Sequence, residues 1–376
     1  MKKILNLGFI GGGLNSAVGR THFIASQMDQ KFQVVSGVFS RNKKINLATG
    51  ALWNVNKKRI YHDIDEYILS EKNSVDAVAV LSPSTDHFHV LEKLIKNKIP
   101  VICEKSFTKN EKEARKICQL IKKHKSYVSL VYNYTGYPMV RELRDMIRSG
   151  AFGKIVNIII NMPQEGFMTV DKKSLPYKPQ SWRLTDGEIP TISLDLGIHL
   201  FHMLRFLVKE KPLYATSIES NYGNFRNLID DVKCLVKLEN KITASMWFSK
   251  SALGNKNGLS IGIYGVKGAC LWKQETADKI EVSFKNGEKK IIERGSNSYQ
   301  HSSINRYSRF KSGHPTGFIE AFANMYWDIA DDIQLFLKNG KKRNSKFVFY
   351  EEHGLEGLSF LKKISSSSKK GIWIKL

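Results

Sequence analysis

The first 133 residues alternate short apolar segments with amphipathic ones, and this alternation restricts the fold more than any other feature of the chain. The short apolar runs are rich in β-branched residues and suit buried strands, whereas the segments between them have the apolar spacing of helices. Strands separated by helices at this spacing predict a parallel, doubly wound sheet. The predicted strands lie at residues 3–10, 32–39, 75–81, 101–103 and 127–132.

The stretch from Val101 to Ser106 ends an apolar strand on a carboxylate and an ammonium group, Glu104 and Lys105. Parallel strands deliver the residues that follow them to the carboxyl edge of the sheet, where ligands bind in open α/β folds. An ammonium group that is partly desolvated at such an edge can exchange protons with a substrate hydroxyl. Because the chain carries 59 lysines and arginines, a plain surface Glu–Lys pair is the alternative interpretation.

A glycine-rich segment follows the first predicted strand and precedes a helix that runs to Gln27. Glycines at this position let the backbone approach a pyrophosphate, which then rests on the N-terminus of the helix. Ser16 stands where the strict spacing has a third glycine, and the next glycine is Gly19, so we predict a longer loop than the standard one. The residues predicted to bind the cofactor here are Gly11, Gly13, Leu14, Asn15 and Ser16.

The second predicted strand ends on Ser40 and Arg41, where an NAD-binding unit usually carries an acidic residue for the ribose 2′-hydroxyl. A hydroxyl and a guanidinium suit a 2′-phosphate, so the sequence favours NADP over NAD. Two alternatives stay open, because Arg41 could stack on adenine and the pair could form an ordinary turn.

The turn after the third predicted strand reaches the same sheet edge and is predicted to line the cofactor site with Ser82, Pro83 and His87. Pro83 fixes the turn ahead of a helix. A structural hydrogen bond is an equal alternative for the role of His87.

The pattern changes after residue 134, where alternating segments and hairpin signals predict a mostly antiparallel sheet. We therefore predict an α/β protein whose dinucleotide-binding domain spans 1–133 and whose substrate-binding and oligomerisation domain spans 134–376. Helices are predicted in this second part at 138–149, 192–207 and 318–338. The run from Ser365 to Lys370 is predicted to be a loop before a last strand at 372–376.

Asp195 and His199 are four residues apart in the predicted helix at 192–207, so they share one helical face. Such a pair can ligate a metal or position an imidazole for acid–base chemistry. His202 is the only further ligand type in helical register and no cysteine joins it, so we expect no metal. A histidine that only packs the helix is the remaining alternative.

The formal charge of +24 is large, but the basic residues are dispersed over predicted helices and loops. Solvated faces are the favoured explanation; an anionic small substrate is an alternative, and a nucleic-acid footprint is a weaker one. The sequence shows no signal peptide and no apolar run long enough for a membrane span. We therefore expect neither a nucleic acid nor a membrane as a partner. The four cysteines form no CxxC pair, which indicates neither a zinc site nor a disulfide framework, and we expect a reducing, cytoplasmic location.

Taken together, these motifs resemble the glucose–fructose oxidoreductase/inositol dehydrogenase/rhizopine catabolism (Gfo/Idh/MocA) family. The resemblance rests on the glycine loop, Ser82-Pro83 with His87, Glu104-Lys105 and Asp195-x-Gly197-x-His199, in this order along nearly the whole chain. The segments from Asn133 to Pro138 and from Gly313 to Pro315 are similar to one branch of the family. The sequence departs from the common pattern at three positions, Ser16, Ser106 and His202.

The resemblance implies an N-terminal Rossmann domain, a C-terminal α/β domain with an open sheet, and hydride exchange between NAD(P) and a sugar, sugar derivative or cyclitol. Lys105 would be the proton-transferring residue, and Asp195 and His199 would complete the catalytic set. The cofactor would also contact Glu104 and Lys105. We expect the substrate to bind between the domains, near Asn133, Tyr134, Trp182, Arg183, His199 and His314.

The resemblance also implies a homo-oligomer, either a dimer or a tetramer. A redox-neutral reaction with retained cofactor stays open within the enzyme class. A cofactor- or sugar-sensing regulatory protein on the same scaffold is the alternative from another class. Such a sensor needs no proton shuttle, so Lys105, Asp195 and His199 favour the enzyme.

Overall fold

The computed structural model describes residues 3–296, 299, 301, 304–342 and 344–376. The chain divides into two compact units. The first contains residues 1–136 and 318–356, and the second contains residues 137–317 and 357–376.

The described residues form strands and helices that we number in chain order. The strands are β1 (Leu5–Gly11), β2 (Phe32–Val38), β3 (Ala77–Leu81), β4 (Val101–Cys103), β5 (Val128–Leu130), β6 (Ile155–Pro163), β7 (Pro212–Ser220), β8 (Asp231–Leu238), β9 (Thr243–Ser249), β10 (Ser260–Gly265), β11 (Gly268–Lys273), β12 (Lys279–Phe284), β13 (Lys289–Glu293), β14 (Phe349–Tyr350) and β15 (Ile374–Lys375). The α-helices are α1 (Gly19–Gln27), α2 (Lys43–Leu52), α3 (Ile64–Glu71), α4 (Ser84–Lys96), α5 (Glu111–His124), α6 (Pro138–Arg148), α7 (Ile198–Leu207), α8 (Phe318–Asn339) and α9 (Glu351–Lys370).

The sheet of the first unit has the order β14-β5-β4-β3-β1-β2. Strands β1 to β5 pair in parallel, and β14 pairs antiparallel with β5 at the edge. The chain moves from β1 outward to β2 and then crosses back to β3 on the other side of β1. This reversal is the topological switch point at which doubly wound sheets bind ligands.

The register of the sheet brings the ends of its central strands to one level. Gly11 lies opposite Leu81, and Cys103 pairs with Val80 on one side and Leu130 on the other. The segments that follow β1, β3, β4 and β5 therefore start from the same sheet edge. The predicted parallel, doubly wound sheet is confirmed.

The segment 318–356 packs in the first unit, whereas the boundaries read from the sequence put it in the second. Helix α8 carries an apolar stripe that joins the same core cluster as Leu5, Leu7 and Phe9 of β1. Strand β14 then extends the parallel sheet. The burial of α8 against β1, which lies more than 300 residues earlier in the chain, has no local signal in the sequence. The stripe comprises Phe322, Met325, Tyr326, Ile329 and Ile333.

The sheet of the second unit has nine strands in the order β13-β12-β11-β10-β6-β9-β8-β7-β15. Its pairs are antiparallel except for β6 with β9, which confirms the mostly antiparallel sheet predicted for this part of the chain. Strand β8 shows the alternation that a sheet with one covered face requires, since Cys234 and Val236 are buried while Leu235 between them is exposed.

The prediction of a loop from Ser365 to Lys370 was wrong, because these residues form the last turns of α9. Serine has a modest helix propensity, but tertiary hydrogen bonds offset it here. The Ser365 hydroxyl donates to Glu219, and the Ser217 hydroxyl of β7 donates to the Ile364 carbonyl. The last strand, β15, is correspondingly shorter than predicted.

Candidate active site

The glycine loop after β1 holds the backbone where side chains cannot fit. Gly11 and Gly12 have φ angles of +86° and +78°, in the region that favours glycine. A Cβ atom on Gly19 would lie 1.9 Å from the Gly12 carbonyl oxygen, so the start of α1 packs directly on the loop. Gly19 thus takes the packing role of the third glycine, and Ser16 instead accepts a hydrogen bond from the Gly19 amide at 3.2 Å.

Two further residues of the loop form hydrogen bonds through their backbone amides. The Gly13 amide donates to the Phe39 carbonyl at 2.9 Å, and the Leu14 amide donates to the Thr49 hydroxyl at 3.1 Å. The side chains of Leu14 and Asn15 are exposed. These contacts fix the loop against the end of β2 and the helix that follows it.

Ser40 and Arg41 follow β2 at the neighbouring strand end. The Phe39 amide donates to the side-chain carbonyl of Asn46 at 2.7 Å, which fixes this turn. Arg41 is 86% exposed, and its guanidinium lies 3.5 Å from the carboxylate of Asp86 on α4. No acidic residue directly follows β2, as the sequence indicated. Asp86 of the neighbouring helix α4 is nevertheless close to Arg41.

His87 connects two turns of this edge and is fully buried. Its Nε2 atom lies 2.8 Å from the Ser82 carbonyl, and its Nδ1 atom lies 2.9 Å from the Ser106 carbonyl. Burial lowers the pKa of the His87 imidazole below its ordinary value, and the backbone carbonyls offset this only in part. A neutral ring has one N–H and donates to one of these two carbonyls, so the geometry favours a structural role for His87 between the turn after β3 and the turn after β4.

Three buried polar atoms at the edge have no hydrogen-bond partner in the described part of the chain. They follow β3, β4 and β5 respectively, and buried polar groups in native proteins normally have partners. A dinucleotide offers the hydroxyls, carbonyls and amide that such atoms would bind, and the glycine loop leaves room for its pyrophosphate. The residues present therefore fit an NAD(P) cofactor. The atoms are Ser82 Oγ, Ser106 Oγ and Asn133 Nδ2.

Glu104 and Lys105 occupy the end of β4, where the sequence placed them. Lys105 is half-buried, and the peptide bond between Lys105 and Ser106 is cis. The Glu104 carboxylate is buried and lies 2.9 Å from Nε2 of His22, whose Nδ1 atom lies 2.7 Å from the Tyr326 hydroxyl. Sequence reasoning missed His22 and Tyr326, and no local signal could have found a partner 304 residues away.

Asn133 and Tyr134 follow β5 in a short 3₁₀ helix and are both buried. The Tyr134 ring lies 6.2 Å from the ring of Phe318, at the start of α8. The first unit therefore brings the predicted cofactor residues together with these two predicted substrate residues.

In the second unit, Asp195 lies in a π-helical turn, Ser193–Gly197, that leads directly into α7. Such turns are rare and frequently occur at functional sites. A Cβ atom on Gly197 would lie 2.8 Å from the Phe248 ring and 3.1 Å from Leu361. The glycine between Asp195 and His199 therefore lets the turn approach the sheet and α9 closely.

Two cations converge on one oxygen of the Asp195 carboxylate. Arg183 donates to Oδ2, and the ammonium group of Lys250 lies 2.6 Å from the same atom. The guanidinium of Arg183 also stacks 4.5 Å from the Trp182 ring. Sequence reasoning assigned Trp182 and Arg183 to substrate binding but missed Lys250, which follows β9.

Asp186, through its carboxylate, and Asp230, through its backbone carbonyl, hold the segments that carry these cations. Asp186 accepts hydrogen bonds from the Thr191 and Ile229 amides, at 2.7 Å and 2.8 Å. The backbone carbonyl of Asp230 accepts from the Lys250 amide at 2.7 Å. These hydrogen bonds restrict the backbone of the segments that carry Arg183 and Lys250.

The histidines of the second unit differ in their surroundings. His199 and His202 are both buried on α7, and the His202 ring stacks at 6.5 Å on Phe206. His314 lies in an exposed turn, where its carbonyl accepts a hydrogen bond from Arg294 at 2.7 Å. Among the described residues, His314 forms its hydrogen bonds with Arg294 and Lys311 and not with α7.

The described residues contain no group of three or more His, Cys, Asp and Glu side chains that could hold a metal ion. No helix in that part of the chain is both long and apolar enough to cross a membrane.

Two protein-family models match the chain. The model described as an oxidoreductase family with an NAD-binding Rossmann fold matches residues 5–132. The model of the GFO/IDH/MocA C-terminal domain matches residues 140–270. The first match covers strands β1 to β5 of the parallel sheet, and the second covers strands β6 to β10 of the mostly antiparallel sheet.

Curated relatives and solved structures are similar over most or all of the chain. An uncharacterized oxidoreductase of Bacillus subtilis is 25% identical, with 100% of this chain and 97% of the relative covered. A levoglucosan dehydrogenase of Pseudarthrobacter phenanthrenivorans is 22% identical over 74% of this chain and 76% of the relative. The structure of an inositol dehydrogenase homologue from Azotobacter vinelandii, complexed with NADH and myo-inositol, has a TM-score of 0.90 at 22% identity and covers 100% of this chain and 98% of that chain.

The packing of the glycine loop predicts the effect of one added methyl group. Gly19→Ala should lower the free energy of unfolding by roughly 1–3 kcal/mol and weaken NAD(P) binding, because the Cβ atom displaces the Gly12 carbonyl. Gly166→Ala is the matched control, since nothing lies within 4 Å of its added Cβ. Chemical unfolding and calorimetric titration measure both effects, and equal behaviour of the two variants would contradict the proposed packing role of Gly19.

The buried His87 predicts a pH-dependent contribution to stability. As the pH falls through about 6.5, the ordinary value for histidine, the unfolded chain binds a proton that the folded ring resists, because the pKa of His87 is lowered by burial. Stability from this group is thus present above that pH and is lost below it, by at most about 1.4 kcal/mol per pH unit.

Replacing the imidazole removes this contribution. Unfolding free energies measured between about pH 7.5 and pH 5 should fall less steeply for His87→Gln than for the natural protein. His89→Gln, at an exposed position on the same helix, is the matched control. Parallel slopes for the natural protein and His87→Gln would show that His87 titrates equally in both states.

Proposed function

Because the chain belongs to the GFO/IDH/MocA family of oxidoreductases, we propose that it transfers a hydride between NAD(P) and a hydroxyl or keto carbon of a sugar, sugar derivative or cyclitol. The observation that carries the proposal is the position of Lys105, directly after β4, on the sheet edge that also holds the glycine loop and the unpartnered polar atoms. Relatives with levoglucosan dehydrogenase and inositol dehydrogenase names support the substrate class.

The first unit supplies the residues that would hold the cofactor. The loop from Gly11 to Ser16 would accept the pyrophosphate on backbone amides and the N-terminus of α1. Ser40 and Arg41 would contact the adenosine ribose, and the turn after Pro83 would line the site together with Glu104. When bound, the nicotinamide supplies the hydride donor or acceptor.

Lys105 would move the proton that accompanies the hydride. In oxidation its amine takes the proton from the substrate hydroxyl, and in reduction its ammonium group returns that proton to the oxygen. The half-buried position of Lys105 limits its contact with water, which favours proton exchange with a bound hydroxyl over exchange with solvent.

The second unit would contribute Asp195 and His199 to substrate binding and proton transfer. Arg183 and Lys250 offset the charge of the Asp195 carboxylate and fix its direction, so it can accept a hydrogen bond in one defined orientation. His199 follows one turn later and can relay a proton, which a purely structural residue would not do. His202 and Trp182 would shape the part of the substrate pocket that this unit contributes.

A sensor on the same scaffold is the second candidate function. It would use the glycine loop and the polar edge to bind a cofactor without chemistry. Lys105 at the strand end and the ordered Asp195 favour the enzyme, because neither a proton donor nor a clamped carboxylate is needed for cofactor binding alone.

We also propose a homodimer or homotetramer built on the uncovered face of the second sheet. Ile218 of β7 and Leu235 of β8 are 65% and 52% exposed on this face, and Tyr264 of β10 is exposed as well. Large apolar side chains on one sheet face are typical of an interface between subunits.

The role of Lys105 predicts a selective loss of turnover. Lys105→Ala should lower kcat by roughly 10²–10⁴-fold while cofactor affinity stays within about tenfold, because the proton acceptor is lost and the glycine loop is untouched. Lys109→Ala, at an exposed lysine of the same segment, is the matched control and should keep its activity. Steady-state kinetics with calorimetric cofactor titration decides, and near-normal turnover of Lys105→Ala would refute the assignment.

Ser40 and Arg41, which follow β2, predict which of the two cofactors binds more tightly. The natural protein should bind NADP(H) more tightly than NAD(H), because a 2′-phosphate can replace Asp86 as the partner of Arg41. Breaking the exposed ion pair between Arg41 and Asp86 should cost little stability. Arg41→Ala should remove the preference and leave NAD(H) affinity within about twofold. Titration of both cofactors against both proteins measures this, and a clear preference of the natural protein for NAD(H) would assign Arg41 to adenine or to no cofactor contact.

A further inference from the structure

The Asp186 carboxylate joins three segments of the second unit through hydrogen bonds. Its Oδ1 atom accepts from the amide and from the hydroxyl of Thr191, both at 2.7 Å, and its Oδ2 atom accepts from the Ile229 amide at 2.8 Å. Both carboxylate oxygens are therefore used, and a charged acceptor makes each of these hydrogen bonds stronger than a neutral one. We refer to Asp186, Thr191 and Ile229 as the Asp186 staple.

Two of these segments carry the two partners of an ion pair. Arg183 lies three residues before Asp186, and its guanidinium donates to the Asp195 carboxylate. Thr191 begins the helical segment that contains the π-helical turn of Asp195. The Thr191 hydroxyl also lies 3.4 Å from the Arg183 carbonyl. Asp186 therefore restricts the separation between the backbone of the cation and the backbone of its carboxylate partner.

The third segment leads to the second cation at Asp195. Ile229 directly precedes Asp230, whose carbonyl accepts a hydrogen bond from the Lys250 amide at 2.7 Å. The Lys250 ammonium group lies 2.6 Å from the Asp195 carboxylate. The hydrogen bond from Ile229 to Asp186 thus joins the segment of the first cation to the part of the chain that supports the second.

The stretch between Arg183 and Ile189 buries little apolar surface. Residues 184, 185, 187 and 188 are exposed, and the Arg183 side chain is 20% exposed, compared with 7% for Asp195. Thr191 is 9% exposed, so its hydrogen bonds to Asp186 are largely shielded from water. Shielded hydrogen bonds are electrostatically stronger than those in water. The staple is therefore the main constraint on this stretch.

We propose that Asp186 is a positioning residue that acts through Arg183. It holds the guanidinium on the Asp195 carboxylate, and so fixes the direction in which that carboxylate accepts a hydrogen bond from the substrate. This inference rests on the proposed function for the role of Asp195, whereas the coupling between Asp186 and Arg183 does not depend on that function. A residue that only stabilised the turn would leave the interaction between Arg183 and Asp195 unchanged.

The first measurement is the coupling between Arg183 and Asp195, obtained from chemical unfolding of the full chain. A cycle of Arg183→Met, Asp195→Asn and the double variant isolates this interaction. In the natural background the pair should change the unfolding equilibrium constant by on the order of tenfold, as expected for a hydrogen bond between charged groups. The same cycle in Asp186→Ala should give less than about threefold, because a guanidinium that is not held in place forms a weak pair.

Smaller changes to the staple should have smaller effects. Asp186→Asn should give an intermediate coupling, because its carbonyl can still accept from Thr191 while its amide group places a donor opposite the Ile229 amide. Thr191→Val removes the hydroxyl and keeps the backbone amide, so the coupling should fall. Thr191→Ser restores a hydroxyl and should return the coupling to its natural value.

Two variants serve as controls. Glu188→Ala removes a carboxylate from the same segment, where it forms an exposed ion pair with Lys362 at 2.9 Å, and should leave the coupling within about twofold. Asp63→Ala removes a carboxylate that accepts two backbone amides at the start of α3 in the first unit. It should lower stability, as loss of a helix cap does, without changing the coupling.

The second measurement relates the staple to the reaction, with a panel of sugars and cyclitols as substrates. Asp186→Ala should lower kcat/KM by roughly 10–100-fold for the compounds that the natural protein oxidises, because Asp195 is misdirected. The dissociation constant of NADP should stay within about twofold, because the glycine loop is in the other unit. In an Arg183→Met background the further loss from Asp186→Ala should be less than about twofold, because Asp186 acts through Arg183.

The outcomes separate the two proposals. A natural protein that oxidises no member of the panel would overturn the proposed function, and the unfolding cycles would still decide the role of Asp186. Coupling below about twofold in the natural background, or coupling in Asp186→Ala within about twofold of the natural value, would overturn the positioning role. Equal losses of kcat/KM from Asp186→Ala with and without Arg183 would overturn it as well. If Asp186→Ala fails to fold, Thr191→Val and Thr191→Ser decide.

Discussion

The common level of four parallel strand ends is the constraint on which the candidate site depends. Main-chain pairing sets Gly11 beside Leu81, and Cys103 beside Val80 and Leu130, so the segments that follow start together. Hydrogen bonds between parallel strands fix this register independently of the side chains that come next. Polar groups that would be costly inside the core can therefore gather at one edge, where a ligand can satisfy them.

The sequence predicted the features that depend on local pattern. The apolar runs and the helical spacing predicted the parallel sheet, and glycines 11 to 13 predicted the loop. The glycine that packs the helix against this loop is Gly19 and not a residue at position 16. The resemblance to the Gfo/Idh/MocA family is confirmed by two family models that match residues 5–132 and 140–270. The roles assigned to individual site residues stay predictions, because they depend on chemistry that a fold alone does not determine.

The features that the sequence did not predict depend on contacts between distant segments. Lys250, just after β9, contacts Asp195, and Tyr326 of α8 contacts His22; neither residue lies in a local motif. The serines near the end of α9 read as a loop because their partners, such as Glu219, lie on another strand. In each case tertiary hydrogen bonds and charge pairs outweighed the intrinsic preference of the segment.

The central claim, that this chain transfers a hydride and does not merely sense a ligand, is tested most directly by isotope transfer. The protein is incubated with oxidised NAD(P) and sugars or cyclitols deuterated at their hydroxyl-bearing carbons, and the mass of the cofactor is then measured. The account predicts reduced cofactor that carries one deuterium from the substrate carbon. Tight binding of both cofactor and sugar without any deuterium transfer would contradict it and would favour a sensor.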